Sequence, residues 1–195
     1  MDIVHSTENL KAIELFKDII FEIPLNENLK EYLKYSKKLK KQKGRKISNV
    51  GGFQSDELDL KEKILQSLIK KVENYSNIFC NDILKVNKKI KLASMWLNIN
   101  YYKDYNISHV HSFSMLSGVF YIKTLKNSGN LIFKRNHALE YCIKDKPVEY
   151  NSYNATTFTI PSKENNLYMF PSWYEHYVEP NLSKEERVSI SFNLL

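Results

Sequence analysis

Three features of the chain predict a mainly β protein with flanking helices, built on a double-stranded β-helix (jelly-roll, cupin-like) core. After about residue 87 the sequence breaks into short β-prone runs separated by polar turns. The last run alternates strictly, and two helical segments precede the β-rich part. Several short strands at this spacing belong to a sandwich or barrel rather than to an alternating α/β fold. Residues 1–87 supply an N-terminal strand and supporting helices, and 88–195 the jelly-roll core. No repeat and no flexible linker divides them, so 1–195 is expected to be one domain.

In chain order, residues 13–24 (Ile-Glu-Leu-Phe-Lys-Asp-Ile-Ile-Phe-Glu-Ile-Pro) are rich in β-branched and aromatic side chains and stop at Pro24, which predicts a strand. From Asn26 to about Lys41, Leu29, Tyr32, Leu33 and Leu39 predict a helix. Residues 48–55 form a turn-rich connector whose Gly51-Gly52 pair allows positive φ. Ile64, Leu65, Leu68, Ile69 and Val72 recur at helical spacing, so a second helix buries one face. The predicted core strands are 91–101, 115–124, 129–134, 153–160, 166–170, 175–179 and 187–194. In the last, Val188, Ile190, Phe192 and Leu194 form one face and Arg187, Ser189, Ser191 and Asn193 the other.

At 195 residues, with 43% apolar content and 13 tyrosines, the chain can bury roughly 70% of its unfolded surface. No apolar run reaches the ~18–20 residues that span a membrane. The start, Met-Asp-Ile-Val-His, lacks the basic and apolar pattern of a secretory signal. Cys80 and Cys142 are far apart and in no metal-binding spacing, which fits free thiols in a reducing, cytoplasmic setting. The net charge of +7 concentrates in the basic run 37–46. Such a run could meet nucleic-acid phosphate, but no aromatic residues alternate with the lysines to stack on bases, so a solvated helix end is the favoured reading.

The chemistry-bearing residues are His109-Val110-His111, His176 and Arg187-Val188-Ser189. Histidines at i and i+2 on an extended chain point the same way and can hold one metal ion, with a third on a later strand closing the set. The opposing reading is a polar edge carrying two surface histidines. His5, in the N-terminal tail, and His137, in a polar loop, do not compete. Imidazole suits iron, zinc, copper and nickel alike. Arg187 is either a surface residue in Lys-Glu-Glu-Arg or, with Ser189, an inward-facing anchor that grips a carboxylate bidentately. A metal beside a carboxylate anchor describes an Fe(II) oxygenase that uses a 2-oxo acid as cosubstrate.

These residues carry a resemblance. His176 with Arg187-Val188-Ser189 resembles the distal histidine and Arg-x-Ser pair of the iron(II)/2-oxoglutarate-dependent oxygenase superfamily, and Gly129-Asn130-Leu131-Ile132-Phe133 resembles its Gly-x-Leu-x-Phe strand. Residues 48–55, 116–121, 170–173 and 187–193 resemble a subfamily of such oxygenases from bacteria and their viruses, over about Ile13 to Leu195. The resemblance implies a jelly-roll core, Fe(II) held by His109, His111 and His176, and 2-oxoglutarate held by Arg187 and Ser189. Asn98, Asn100 and Tyr121 resemble polar positions that touch the cosubstrate, with burial as satisfied core groups the competing role. Trp96 and Trp173 are expected in the core. The implied reaction is hydroxylation coupled to decarboxylation of 2-oxoglutarate to succinate, on a small molecule or a protein side chain.

One departure stands out. The superfamily usually carries His-x-Asp or His-x-Glu, and here His111 occupies the carboxylate position. Glu175 and Asp104 are the nearest acidic residues in sequence and rank below His111 as ligands. Two other readings stay open: a three-histidine cupin-like dioxygenase without cosubstrate, and a non-catalytic β-sandwich that binds metal structurally.

Overall fold

The computed structural model describes residues 3–7, 9–86, 88–135 and 146–195. Strands β1 (Ile3–Thr7) and β2 (Leu10–Ile13) pair as a small antiparallel sheet of their own. β3 (Phe21–Pro24) and α1 (Leu29–Leu39) follow, then the short strands β4 (Asn49–Val50) and β5 (Phe53–Gln54). A 3₁₀ turn, Lys63–Leu65, leads into α2 (Gln66–Ile78), which ends in a π-helical turn, Phe79–Ile83. The remaining strands are β6 (Leu92–Asn100), β7 (Tyr105–His109), β8 (Leu116–Lys123), β9 (Leu131–Lys134), β10 (Thr157–Ile160), β11 (Asn166–Pro171), β12 (His176–Val178) and β13 (Arg187–Leu194).

These strands build a six-stranded sheet in the order β3-β11-β8-β13-β6-β5 and a five-stranded sheet in the order β10-β9-β12-β7-β4, with antiparallel pairing throughout. This is the double-stranded β-helix expected from the alternating runs. The larger sheet is covered on both faces, and its side chains sort with period 2. Met95, Leu97 and Ile99 of β6, Phe120 and Ile122 of β8, and Val188, Ile190 and Phe192 of β13 enter the core shared with Tyr32 of α1 and Leu68 and Val72 of α2. Tyr32 meets Phe120 edge-on, with ring centroids 5.6 Å apart. The alternate positions Val119, Tyr121, Tyr168 and Phe170 pack with Leu131 and Phe133 of the smaller sheet. The four inner strands of the larger sheet, β11, β8, β13 and β6, present their second face to the space between the sheets.

The sequence reading of 13–24 as one strand is corrected. Ile13 closes the N-terminal hairpin opposite Ile3, only Phe21–Pro24 pairs with β11, and residues 14–20 take no regular structure. Strand preference expresses packing against neighbours, and among the described residues no strand pairs with Leu15 and Phe16, which stay exposed. His5, expected in a tail, lies in β1 and is exposed. The connector 48–55 does more than turn. β4 pairs with β7 of one sheet and β5 with β6 of the other, so Gly51 and Gly52, at φ 72° and 61°, carry the chain between sheets. A Cβ on Gly52 would stand 2.5 Å from the Ile99 carbonyl oxygen.

Strand β7 was not predicted at all. Its sequence, Tyr-Asn-Ile-Ser-His, buries only Asn106, so hydrophobic alternation gives no signal. The basic run 37–46 faces solvent, with Lys38 near Glu62 (3.7 Å), Arg45 near Asp56 (3.5 Å) and Lys40 over the Tyr101 ring (4.7 Å). Cys80 is a buried free thiol, while the expectations for Cys142 and His137 fall outside the described residues. Among the described residues no helix is long and apolar enough to cross a membrane.

Candidate metal centre and cosubstrate pocket

Two of the three histidines are brought together by sheet register. His109, the last residue of β7, pairs with His176, the first of β12. Each is oriented by the backbone two residues earlier. His109 Nδ1 lies 2.7 Å from the Ile107 carbonyl oxygen and His176 Nδ1 2.8 Å from that of Tyr174. A carbonyl oxygen only accepts, so both Nδ1 atoms carry the proton and both Nε2 atoms keep a free lone pair, the form a metal needs. His111 follows β7 in the loop to β8, and its backbone N–H donates to the Ser172 carbonyl oxygen (3.0 Å), tying it to the turn before β12.

The three side chains converge. One ligand atom from each lies within 4.8 Å of the others, and His111 Nε2 stands 3.3 Å from His176 Nε2. Two facing lone pairs do not sit that close unaided, so a proton or a cation belongs between them. Imidazole nitrogens bonded to one ion at about 2.0–2.1 Å would themselves be about 3.0–3.4 Å apart. The His111–His176 pair already has that spacing, and three imidazole nitrogens within 4.8 Å of one another are a donor set of the kind that holds a divalent transition metal. Among the described residues no carboxylate joins it. Glu175 Oε1 accepts from Ser108 Oγ (2.6 Å) and Lys134 Nζ (2.7 Å), and Asp104 Oδ2 accepts from the Tyr101 backbone N–H (2.7 Å).

Burial holds the imidazoles neutral. Desolvation, then the neighbouring His176 and His109, drives the His111 pKa down to about 3. Desolvation, then His109, brings His176 to about 4, and desolvation also lowers His109. In the unfolded chain these groups titrate near 6.5. Below that pH the unfolded state binds more protons than the metal-free folded state. The histidines' contribution to stability is thus full above about pH 6.5 and is lost as pH falls toward 4 and below. Urea unfolding of metal-free protein from pH 7.5 to 4.5 is expected to show this decline, with a shallower slope in His111→Gln. An equal slope in the two proteins would contradict it.

A second group of polar side chains lines the same cavity. Ser189 of β13 is flanked in register by Asn98 of β6 and Tyr121 of β8, and Arg187 pairs with Asn100. Arg187 is only 1% exposed. Its Nη1 donates to the carbonyl oxygens of Ser128 and, at 3.1 Å, Glu179. Nη2 has no partner, and neither do the buried Tyr121 hydroxyl and Asn98 Oδ1. Burial, opposed by the charge of Arg187, pushes the Tyr121 pKa up to about 12, so its hydroxyl keeps its proton. Buried polar atoms are rarely left unpaired. Orphaned donors from a guanidinium and a phenol are a cradle of the kind that fits a carboxylate.

Sequence reasoning missed several participants. Ser191 Oγ accepts from Asn98 Nδ2 (3.1 Å), and the carbonyls of Ile107, Tyr174, Ser128 and Glu179 orient the key rings and the guanidinium. Backbone acceptors leave no mark in a sequence, whereas Ser191 shares the alternating face of Arg187 and Ser189 and was legible. The expectation for the tryptophans is corrected. Trp173 is 59% exposed in the turn before β12, and Trp96 lines the cavity with its ring centroid 5.8 Å from that of His111. Large apolar area favours burial on average, but both indoles sit at loop and cavity positions rather than between sheet and helix.

A jelly roll whose cavity is lined by three histidines and by a buried arginine with no ion pair among the described residues is the arrangement of an oxygenase-type site. Residues 94–193 match the family model described as "Putative 2OG-Fe(II) oxygenase", and the chain belongs to this family of the iron(II)/2-oxoglutarate oxygenase superfamily. No curated protein matches the sequence. Among solved structures, the chain is similar to the non-heme α-ketoglutarate-dependent epimerase SnoN from nogalamycin biosynthesis, with TM-score 0.69, 13% identity, and 91% of this chain and 78% of that one covered. It is similar to a Pseudomonas putida prolyl-4-hydroxylase, with TM-score 0.63, 11% identity and 90% and 92% covered. HygX from Streptomyces hygroscopicus, solved with nickel and 2-oxoglutarate bound, gives TM-score 0.60, 8% identity and 91% and 82% covered. At these identities the likeness is one of fold.

Proposed function

We propose that the protein is an iron(II)- and 2-oxoglutarate-dependent hydroxylase, acting as one domain over 1–195 in a reducing, cytoplasmic setting. The observation that carries this reading is Arg187: a buried guanidinium with no ion pair among the described residues and one orphaned nitrogen, lining the cavity that holds the three histidines. A buried charge without a partner is costly, and a dianionic cosubstrate would offset that cost. Neither a structural metal site nor a cosubstrate-free dioxygenase gives this residue a partner.

His109, His111 and His176 would hold Fe(II) through Nε2, and the Nδ1 bonds of His109 and His176 keep those two rings in the ligating tautomer. Arg187, with Ser189, would receive the distal carboxylate of 2-oxoglutarate. Tyr121 would donate its hydroxyl to that end of the cosubstrate, and Asn98, whose Nδ2 donates to Ser191 Oγ, would line the same part of the cavity. With iron, 2-oxoglutarate and dioxygen all bound, such a site supplies oxidative decarboxylation to succinate and carbon dioxide, coupled to oxygen insertion into a C–H bond. The apolar side chains of Val119, Leu131 and Phe170, which line the cavity, would help keep water from the reacting centre. With His111 in place of a carboxylate, the ligand set is neutral, and the site as a whole is one unit more positive than with an aspartate.

Succinate release from 2-oxoglutarate by the aerated, iron(II)-loaded protein tests this directly. Iron-dependent succinate, lost in Arg187→Ala, is expected. Unchanged 2-oxoglutarate over many hours, with iron demonstrably bound, would contradict it.

A further inference from the structure

The way Arg187 is held points to a residue outside the ligand and cosubstrate sets. The guanidinium is fixed on one side only: Nη1 is shared between the Ser128 and Glu179 carbonyls, while Nη2 stays unpartnered. Gly129 lies between these anchors. Its φ is +83°, a region closed to most side chains, and a Cβ built there would lie 2.6 Å from Arg187 Nη1, 2.9 Å from the Pro180 carbonyl oxygen, and in collision with the Glu179 carbonyl oxygen. The segment is itself braced. Ser162 Oγ donates to the Gly129 carbonyl (2.8 Å), the Asn130 backbone N–H donates to Glu179 Oε2 (3.0 Å), and the Glu179 backbone N–H donates to the Asn130 carbonyl (3.0 Å).

We propose that Gly129 is a positioning residue for the cosubstrate: its bare, left-handed backbone lets the 128–130 loop close on Glu179, seat Nη1 against two carbonyls, and leave Nη2 as the donor that meets the distal carboxylate. This rests on the proposed function. The loop acts through Arg187, and residues 128–130 are not among those lining the cavity of the histidines. Its consequence is a selective one, because a shifted guanidinium alters 2-oxoglutarate affinity while the histidine cluster, held by other carbonyls, stays in place.

A double-mutant cycle tests it, with 2-oxoglutarate titrated anaerobically into iron(II)-loaded wild type, Gly129→Ala, Arg187→Lys and the combined variant. Gly129→Ala is expected to weaken 2-oxoglutarate at least about tenfold, the scale of one charge-assisted hydrogen bond, with zinc affinity of the metal-free protein unchanged. In the Arg187→Lys background, which has no Nη1 to displace, Gly129→Ala should add little. Full additivity, or an unchanged affinity in Gly129→Ala, would overturn the assignment. Should that variant fail to fold, guanidinium NMR of the wild type decides: 2-oxoglutarate is expected to shift the Arg187 Nη2 resonances while Nη1 stays protected from solvent, and equal response of both nitrogens would overturn it. A wild type that binds iron but no 2-oxoglutarate would refute the proposed function itself, a separate result.

Discussion

Replacing Arg187 with alanine is expected to weaken 2-oxoglutarate binding by about 10- to 150-fold, since hydrogen bonds to charged groups contribute about 1.5–3 kcal/mol and about 1.4 kcal/mol is a factor of ten. Metal affinity should be largely unchanged, because none of the bonds that orient the histidines involves Arg187. The substitution also strips the donor from the Ser128 and Glu179 carbonyls while removing a buried charge, two effects on stability of opposite sign. Isothermal titration of the zinc-loaded protein with 2-oxoglutarate, beside zinc titration of the metal-free protein, separates the two affinities. Equal loss of both would mean that Arg187 serves only to hold the fold.

The complementary prediction concerns His176. It is 4% exposed, paired in register with His109, and its Nε2 lies 3.3 Å from that of His111. His176→Ala removes one of three nitrogens and leaves the other two without the geometry that makes them chelate. Loss of an orienting partner behind a ligand already costs about 10–100-fold in metal affinity, so loss of the ligand itself is expected to cost more than about 100-fold. Removing a buried imidazole also opens space beside Phe133 and Phe170, whose ring centroids lie 5.7 and 4.8 Å away. A modest fall in stability should accompany the loss of metal. Competition with a colorimetric chelator measures the first effect and thermal unfolding of metal-free protein the second.

Much of this was legible in the chain because strand alternation is a strong physical signal. In Arg187–Leu194 the apolar residues meet the helices and Arg187, Ser189 and Ser191 meet the cavity, as their period-2 spacing requires. The His109, His111 and His176 set was readable from residue type and order, although His111 lies past the end of β7 and its place is set by the loop to β8 rather than by strand alternation. Strand β7, which places His109, was not: Tyr-Asn-Ile-Ser-His has too little apolar contrast, and its pairing is set by partners distant in sequence. Phe16 and Trp173 show the converse. Each has the composition of a buried residue, and each is exposed because none of the described residues covers it. The carbonyl clamp on Arg187 was invisible, since the main-chain atoms of Ser128 and Glu179 are those of any residue.

The central claim is that one cavity binds both iron and a 2-oxo acid. The measurement that reaches it most directly is an anaerobic titration of metal-free protein with iron(II) and then 2-oxoglutarate, followed by visible absorbance. A charge-transfer band that requires both additions, is absent in His176→Ala and needs more 2-oxoglutarate in Arg187→Ala is the expected result. Iron binding with no band at saturating 2-oxoglutarate would contradict the claim and leave a cosubstrate-free dioxygenase or a structural metal site in its place.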